Sequence, residues 1–138
     1  MINSCMNSKT ILSANTHPGG GTTETVTGDK FKGDGYYGRS DGLHTVQVDL
    51  NGFIGKVAMQ GTLATTPVEA DWFTLVLDSG KQSVDTTGLV ATQSITSVEY
   101  TSATTNTKNY NFTGNYVWVR TYVSNWTDGT VNSIRLNH

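Results

Sequence analysis

Three histidines, one cysteine and eleven acidic residues are the side chains from which this 138-residue chain can draw nucleophilic, acid–base or metal chemistry. His17, His44 and His138 make no His-x-x-x-His pair, and Cys5 has no second cysteine for a disulfide or a zinc site. No Gly-x-Ser-x-Gly elbow occurs, and Cys5 has no histidine near it in sequence, so no activated nucleophile is expected. Asp29, Asp34 and Asp41 border a glycine-rich stretch and offer the oxygen donors that Ca²⁺ takes, but solvated turn aspartates are the plainer expectation. Asp49, Glu69, Asp71 and Glu99 are carboxylates of the type that glycoside hydrolysis uses in pairs. Asp49 is expected on a solvent face and Glu69 and Asp71 in a loop, so no pair stands out. Gly19-Gly20-Gly21 lacks the Gly-Lys-Ser/Thr of a phosphate loop. The expectation is a non-enzyme with no catalytic residue, no metal site and no cofactor.

The aromatic residues are stronger candidates for contact. Tyr36 and Tyr37 lie together in a glycine-rich loop, and Trp126 lies in an Asn-Trp-Thr-Asp-Gly turn. Tyr116, Trp118, Arg120 and Tyr122 alternate along one face of a strand. Core packing is the first expectation for that face, a subunit interface the second and a sugar-stacking platform the third. Arg120 counts against a purely buried face, because an unpaired charge is costly there. Tyr36, Tyr37 and Trp126 read as the exposed contacts.

Bulk properties exclude other partners. Only 14% of residues are charged, the formal net charge is −2, and the nine basic residues form no run. Phosphate neutralisation needs clustered Lys and Arg, so nucleic acid is not the expected partner. No stretch has the ~20 apolar residues of a membrane-spanning helix, and MINSCMNSKT has no apolar leader core. The sequons at Asn111 and Asn125 are then chance matches in a Thr- and Asn-rich chain, and a cytoplasm with a reduced thiol is the expected place of synthesis.

The elements that must position these residues are strands. Thr, Val and Tyr suit pleated surfaces, Gly, Asn and Asp supply turns, and helical periodicity is missing. Residues 1–21 read as an arm, broken by His17-Pro18-Gly19 and free to order against a neighbouring subunit. Residues 22–138 read as one domain. His44–Leu50 and Phe53–Met59 alternate around Asn51-Gly52, which predicts a two-residue hairpin pairing Leu50 with Phe53 and Val46 with Val57. Asp71–Leu77 reads as a largely buried strand, Ser94–Ser102 as a weaker one, and Tyr116–Ser124 as a clear one. A turn at 125–129 leads to a last strand from Thr130 to Leu136. Eight or nine short strands at this spacing predict an all-β fold, a single β-sandwich of jelly-roll type with an extended N-terminal arm.

Two segments add a resemblance. DGYYGRSDGLHTVQVDLNGFIGKVAMQGTLATTPVEADWFTLV (34–76) has a strand pair ending in Asp-Trp-Phe. FTGNYVWVRTYVSNWTDGTVNSIRLNH (112–138) has a Trp-Val-Arg strand and an Asp-Gly turn. Both resemble structural proteins of tailed phages, especially those of marine bacteria and cyanobacteria. That resemblance implies a virion component on the head, neck or tail, such as a capsid decoration or a neck or fibre protein. It would be a homo-oligomer assembled in the host cytoplasm against other virion proteins and copies of itself. It transfers no catalytic residue. A carbohydrate-binding module for host glycans, using Tyr36, Tyr37 and Trp126, is the alternative.

Overall fold

The computed structural model describes residues 8–38, 41–79, 84–85, 88–89 and 94–138, and the fold is all-β. Cys5, Arg39, Ser40, Gly80 and Lys81 lie outside the described residues. The strands are β1 (Lys9–Leu12), β2 (Asn15–Thr16), β3 (Glu24–Thr27), β4 (Phe31–Lys32), β5 (Leu43–Thr62), β6 (Phe73–Thr74) and β7 (Leu77–Ser79). They continue as β8 (Val84–Asp85), β9 (Gly88–Leu89), β10 (Ser94–Ile95), β11 (Val98–Thr113) and β12 (Trp118–Asn137). One 3-10 turn spans Glu69–Asp71. Ten strands form a single antiparallel sheet in the order β1-β12-β5-β11-β7-β10, while β8 and β9 pair separately.

Three long strands carry this sheet. β5 runs between β11 and β12. Along the far edge of β12 lie β4, β3, β2 and β1 in turn, so residues 9–32 act as one interrupted strand. The described part of the N-terminal segment therefore pairs with its own chain, and Ile11 enters the core at 3% exposure.

The Asn51-Gly52 hairpin does not form: β5 passes straight through it for 20 residues. A type I′ turn needs positive φ at both central residues, and only Gly52 has it, at 63°. The pair instead makes a bulge that shifts the alternation by one residue. Inward positions are 44, 46, 48 and 50 before it and 53, 55, 57 and 59 after it. Hairpin and bulge thus put the same side chains, Val46, Val48, Leu50, Phe53 and Val57, into one core. The expected 125–129 turn is likewise internal to β12, with Gly129 at φ 89° and Asn125 at φ 49°. The two irregularities face each other, since Asn51 pairs with Thr130 and Ile54 with Asp128.

Both strands bend there, and the bend is large. Leu43 pairs with Thr113 and Thr62 with Trp118. A straight 20-residue strand would separate its ends by about 60 Å, yet the chain from Thr113 to Trp118 reaches at most about 17 Å. The sheet is therefore folded into a U, with the Gly52–Gly129 bend at its base and both ends of β5 at its mouth. Its inner face holds Phe53, Met59, Phe112, Val119, Val123, Ile134 and Leu136, among others. Leu75 and Leu77 also pack there, whereas Phe73 and Val76 are exposed, so Asp71–Leu77 is not the largely buried strand the sequence suggested.

Candidate functional site

Three connections meet at the mouth of the U: the one between β4 and β5, described at 33–38 and 41–42, and those at 63–72 and 114–117. The first lies tightly on the third, with Gly33 N–H donating to the Val117 carbonyl and Gly35 N–H to that of Tyr116, both at 2.9 Å. A Cβ on Gly35 would sit 2.1 Å from the Asn115 carbonyl oxygen, so this seat requires glycine. The seat aims Tyr36 at Trp118, ring centroids 5.1 Å apart, and Tyr37 packs edge-on to Tyr36. Lys30 stands 4.6 Å over the Trp118 ring and Lys32 4.6 Å over Tyr36, so a cation flanks each side of the ring pair. The Trp118 indole N–H donates to the Thr65 carbonyl, tying the 63–72 connection to the same patch.

The other expected contact residues divide. Tyr116 is half-buried and packs on Phe73 and Phe112. Arg120 is buried but well partnered: two bonds go to the Glu69 carboxylate (2.7 and 3.2 Å) and one to Gln60 Oε1, and the guanidinium lies 4.2 Å over Trp72. That tether holds the Glu69 carboxyl below its ordinary range through the Arg120 hydrogen bond. Tyr122 is half-buried farther along the same outward face. Trp126 is not an exposed contact: it is 2% exposed at the base of the U, between Phe53 and His17, with its indole N–H on the Asp128 carbonyl. His17 folds in because its Nδ1 accepts from Gly19 N–H and its Nε2–H donates to the Thr22 carbonyl.

Seven large hydrophobic residues among the described ones are 43% to 64% exposed: Tyr36, Tyr37, Leu43, Leu63, Val68, Phe73 and Val76. All lie on the connections and strand ends at the mouth, with Val76 on the stretch from β6 to β7. Singly exposed apolar residues are ordinary, whereas large contiguous exposed apolar patches are where contact surfaces occur.

Beneath Tyr37 lies a polar cluster that sequence reading missed. Asp34, His44 and His138 bring their ligand-capable atoms within 4.8 Å of one another. His138 Nδ1 meets Asp34 Oδ1 at 2.6 Å, and His44 Nε2 lies 4.0 Å from the same oxygen. His44 Nδ1–H donates to the Gly42 carbonyl (2.8 Å) and Nε2 accepts from Asp34 N–H (3.2 Å), while Phe112 stacks on the ring at 4.5 Å. Burial lowers the His44 pKa, outweighing the Gly42 bond and the Asp34 charge that raise it. Burial would raise the Asp34 carboxyl, but hydrogen bonds from His138 and with Asp41, with the nearby imidazoles, take it below its ordinary value. Asp34 and Asp41, weighed earlier as Ca²⁺ ligands with Asp29, are thus brought together. Asp29 lines a separate groove beside β1. Separations of 10 and 104 residues leave no motif by which sequence alone could find the cluster.

Comparison with protein-family models, with curated proteins and with solved structures finds no match.

Proposed function

We propose that this chain is a structural component of a phage particle, present in many copies and placed on the particle surface as a capsid decoration or a neck or fibre protein. The observation that carries the assembly part is the concentration of exposed apolar and aromatic residues at the mouth of the U. Interfaces favour Tyr, Trp, Phe and Arg at their centres, and the patch has Tyr36, Tyr37 and Phe73 exposed together with Trp118 against Tyr36. The particle part rests on the resemblance of residues 34–76 and 112–138. In this reading the two limbs of the bent sheet face each other as a β-sandwich does, in jelly-roll fashion. The partners are copies of the chain and other virion proteins in a host cytoplasm.

The test is solution mass beside the protein content of purified particles. Self-association that weakens in Phe73→Ser and Tyr36→Ser, with the chain present in particles, is expected. A monomer at all concentrations, absent from particles, overturns the proposal.

The glycan-binding alternative retains one specific support, the half-exposed Tyr36 and Tyr37. It loses Trp126, which the core occupies. A shallow groove of about 340 Å³ on the outer face, lined by Thr45, Gln47, Asn109, Arg135 and Asn137, offers polar groups but no aromatic ring. Glycan binding abolished by Tyr36→Ala and Tyr37→Ala would favour that alternative.

A further inference from the structure

We propose that Asp34, His44 and His138 form a binding site for one first-row divalent transition metal, with Zn²⁺ as the fitting ion, that clasps the mouth of the sheet. Two imidazoles and a carboxylate are borderline donors of the kind Zn²⁺ takes, whereas Ca²⁺ and Mg²⁺ favour all-oxygen sets. Asp34 and His44 are 1% and 0% exposed, and the His138 side chain is 3% exposed.

The geometry is close to what an ion needs. Zinc bonds of about 2.0–2.2 Å at tetrahedral angles put donor atoms about 3.3 Å apart. The two Asp34–histidine separations here are 2.6 and 4.0 Å, on either side of that value. Small rotations of Asp34 and His138 would equalise them. His44 is already oriented: its Nδ1–H is held by the Gly42 carbonyl, which leaves the Nε2 lone pair facing Asp34, and Phe112 fixes the ring plane. A backbone carbonyl on the far nitrogen is the usual device that sets a metal-ligating histidine. The Asp34 N–H that now bonds Nε2 does so at 3.2 Å, a long bond for an ion to displace. The inference is independent of the assembly reading.

The consequence is mechanical. The three ligands come from the 33–42 connection, the start of β5 and the residue beyond β12, so one ion would join segments far apart in sequence. It would also fix Tyr37, whose ring lies 5.7 Å from His138.

The test uses the full chain carrying Cys5→Ser, so that no thiol competes, stripped with chelator and titrated with ZnCl₂ by calorimetry and thermal unfolding. One ion per chain and a Tm that rises with Zn²⁺ are expected. Affinity should fall at least about tenfold in His138→Ala and in Asp34→Asn, and stay unchanged in His17→Ala. In the parent chain, imidazole nitrogen resonances of His44 and His138 should shift together on titration while those of His17 do not, a readout that needs no destabilising variant. No saturable binding, binding undiminished by His138→Ala, or shifts confined to His17 would overturn the proposal.

Discussion

Gly52 and Gly129 face each other at the base of the U, and alanine at each should have very different costs. Both have positive φ, 63° and 89°. At Gly52 an added Cβ meets nothing within 4 Å, so the penalty is conformational alone. An L-residue in the left-handed region costs about 1–2 kcal/mol, and the stiffer unfolded chain returns about 0.4–1 kcal/mol. Gly52→Ala should therefore destabilise by about 1 kcal/mol. At Gly129 the same atom falls 2.2 Å from the Gly52 carbonyl oxygen and 2.6 Å from the Phe53 Cα. Backbone cannot swing aside as a side chain can, so β5 and β12 must part. The flanking pairs Asn51–Thr130 and Ile54–Asp128 then weaken, at about 1 kcal/mol per backbone bond. With the conformational cost included, Gly129→Ala should destabilise by about 3 kcal/mol or more. For a domain of this size, about 4 °C of Tm accompanies each kcal/mol, giving shifts of about 4 °C and at least about 12 °C. Urea and thermal unfolding followed by tryptophan fluorescence measure both. Equal effects, or a larger one at Gly52, would refute the shared bend, because a hairpin at Asn51-Gly52 would leave Gly129 in an ordinary turn.

Three further outcomes are expected. Trp126→Ala should cost about 3–5 kcal/mol in urea unfolding, as for other buried large-to-small changes at aromatic positions; a near-native midpoint would remove Trp126 from the core. The Glu69 carboxyl is lowered by Arg120, so the tether's contribution is full above the ordinary value of 4.5 and is lost as pH falls through the lowered one. The Tm difference between the parent chain and Glu69→Gln should therefore shrink on acidification, and a constant difference would argue against the ion pair. Tyr110 is pushed above the usual tyrosine value by burial, with the Tyr100 phenol adding to it. Its contribution is complete below pH ~10 and falls as pH rises toward the raised value, so Tyr110→Phe should blunt alkaline unfolding monitored by circular dichroism.

The strands were more legible in the sequence than their connections. Alternation around Asn51-Gly52 identified the right inward residues, because hairpin and bulge both use a positive φ at Gly52 and both move the alternation by one. Local pattern cannot separate the two. The partner decides: β12 lies along β5 on both sides of Gly52 and has its own irregularity at the same level. The expected turn at Asn125–Gly129 has the same explanation, since its turn-forming residues make the matching bend. Arg120 was expected to count against a buried face, yet it is buried; its partners Glu69 and Gln60 could not be named from sequence, because only the folded 63–72 connection brings Glu69 over β12.

The site was the least legible part, for a reason that the bend supplies. Bringing the ends of β5 together places residues 34, 44 and 138 side by side, although none shares a local motif with another. The same closure forces the 33–42, 63–72 and 114–117 connections across one opening. Phe112, Leu75 and Leu77 turn into the space between the limbs, while Tyr36, Leu63, Val68 and Phe73 stay outside. One backbone decision at Gly52 and Gly129 therefore brings to a single opening both the segments that carry the exposed aromatic residues and those that carry the buried Asp–His cluster. Disturbing the base of the U should weaken both, even though neither lies there.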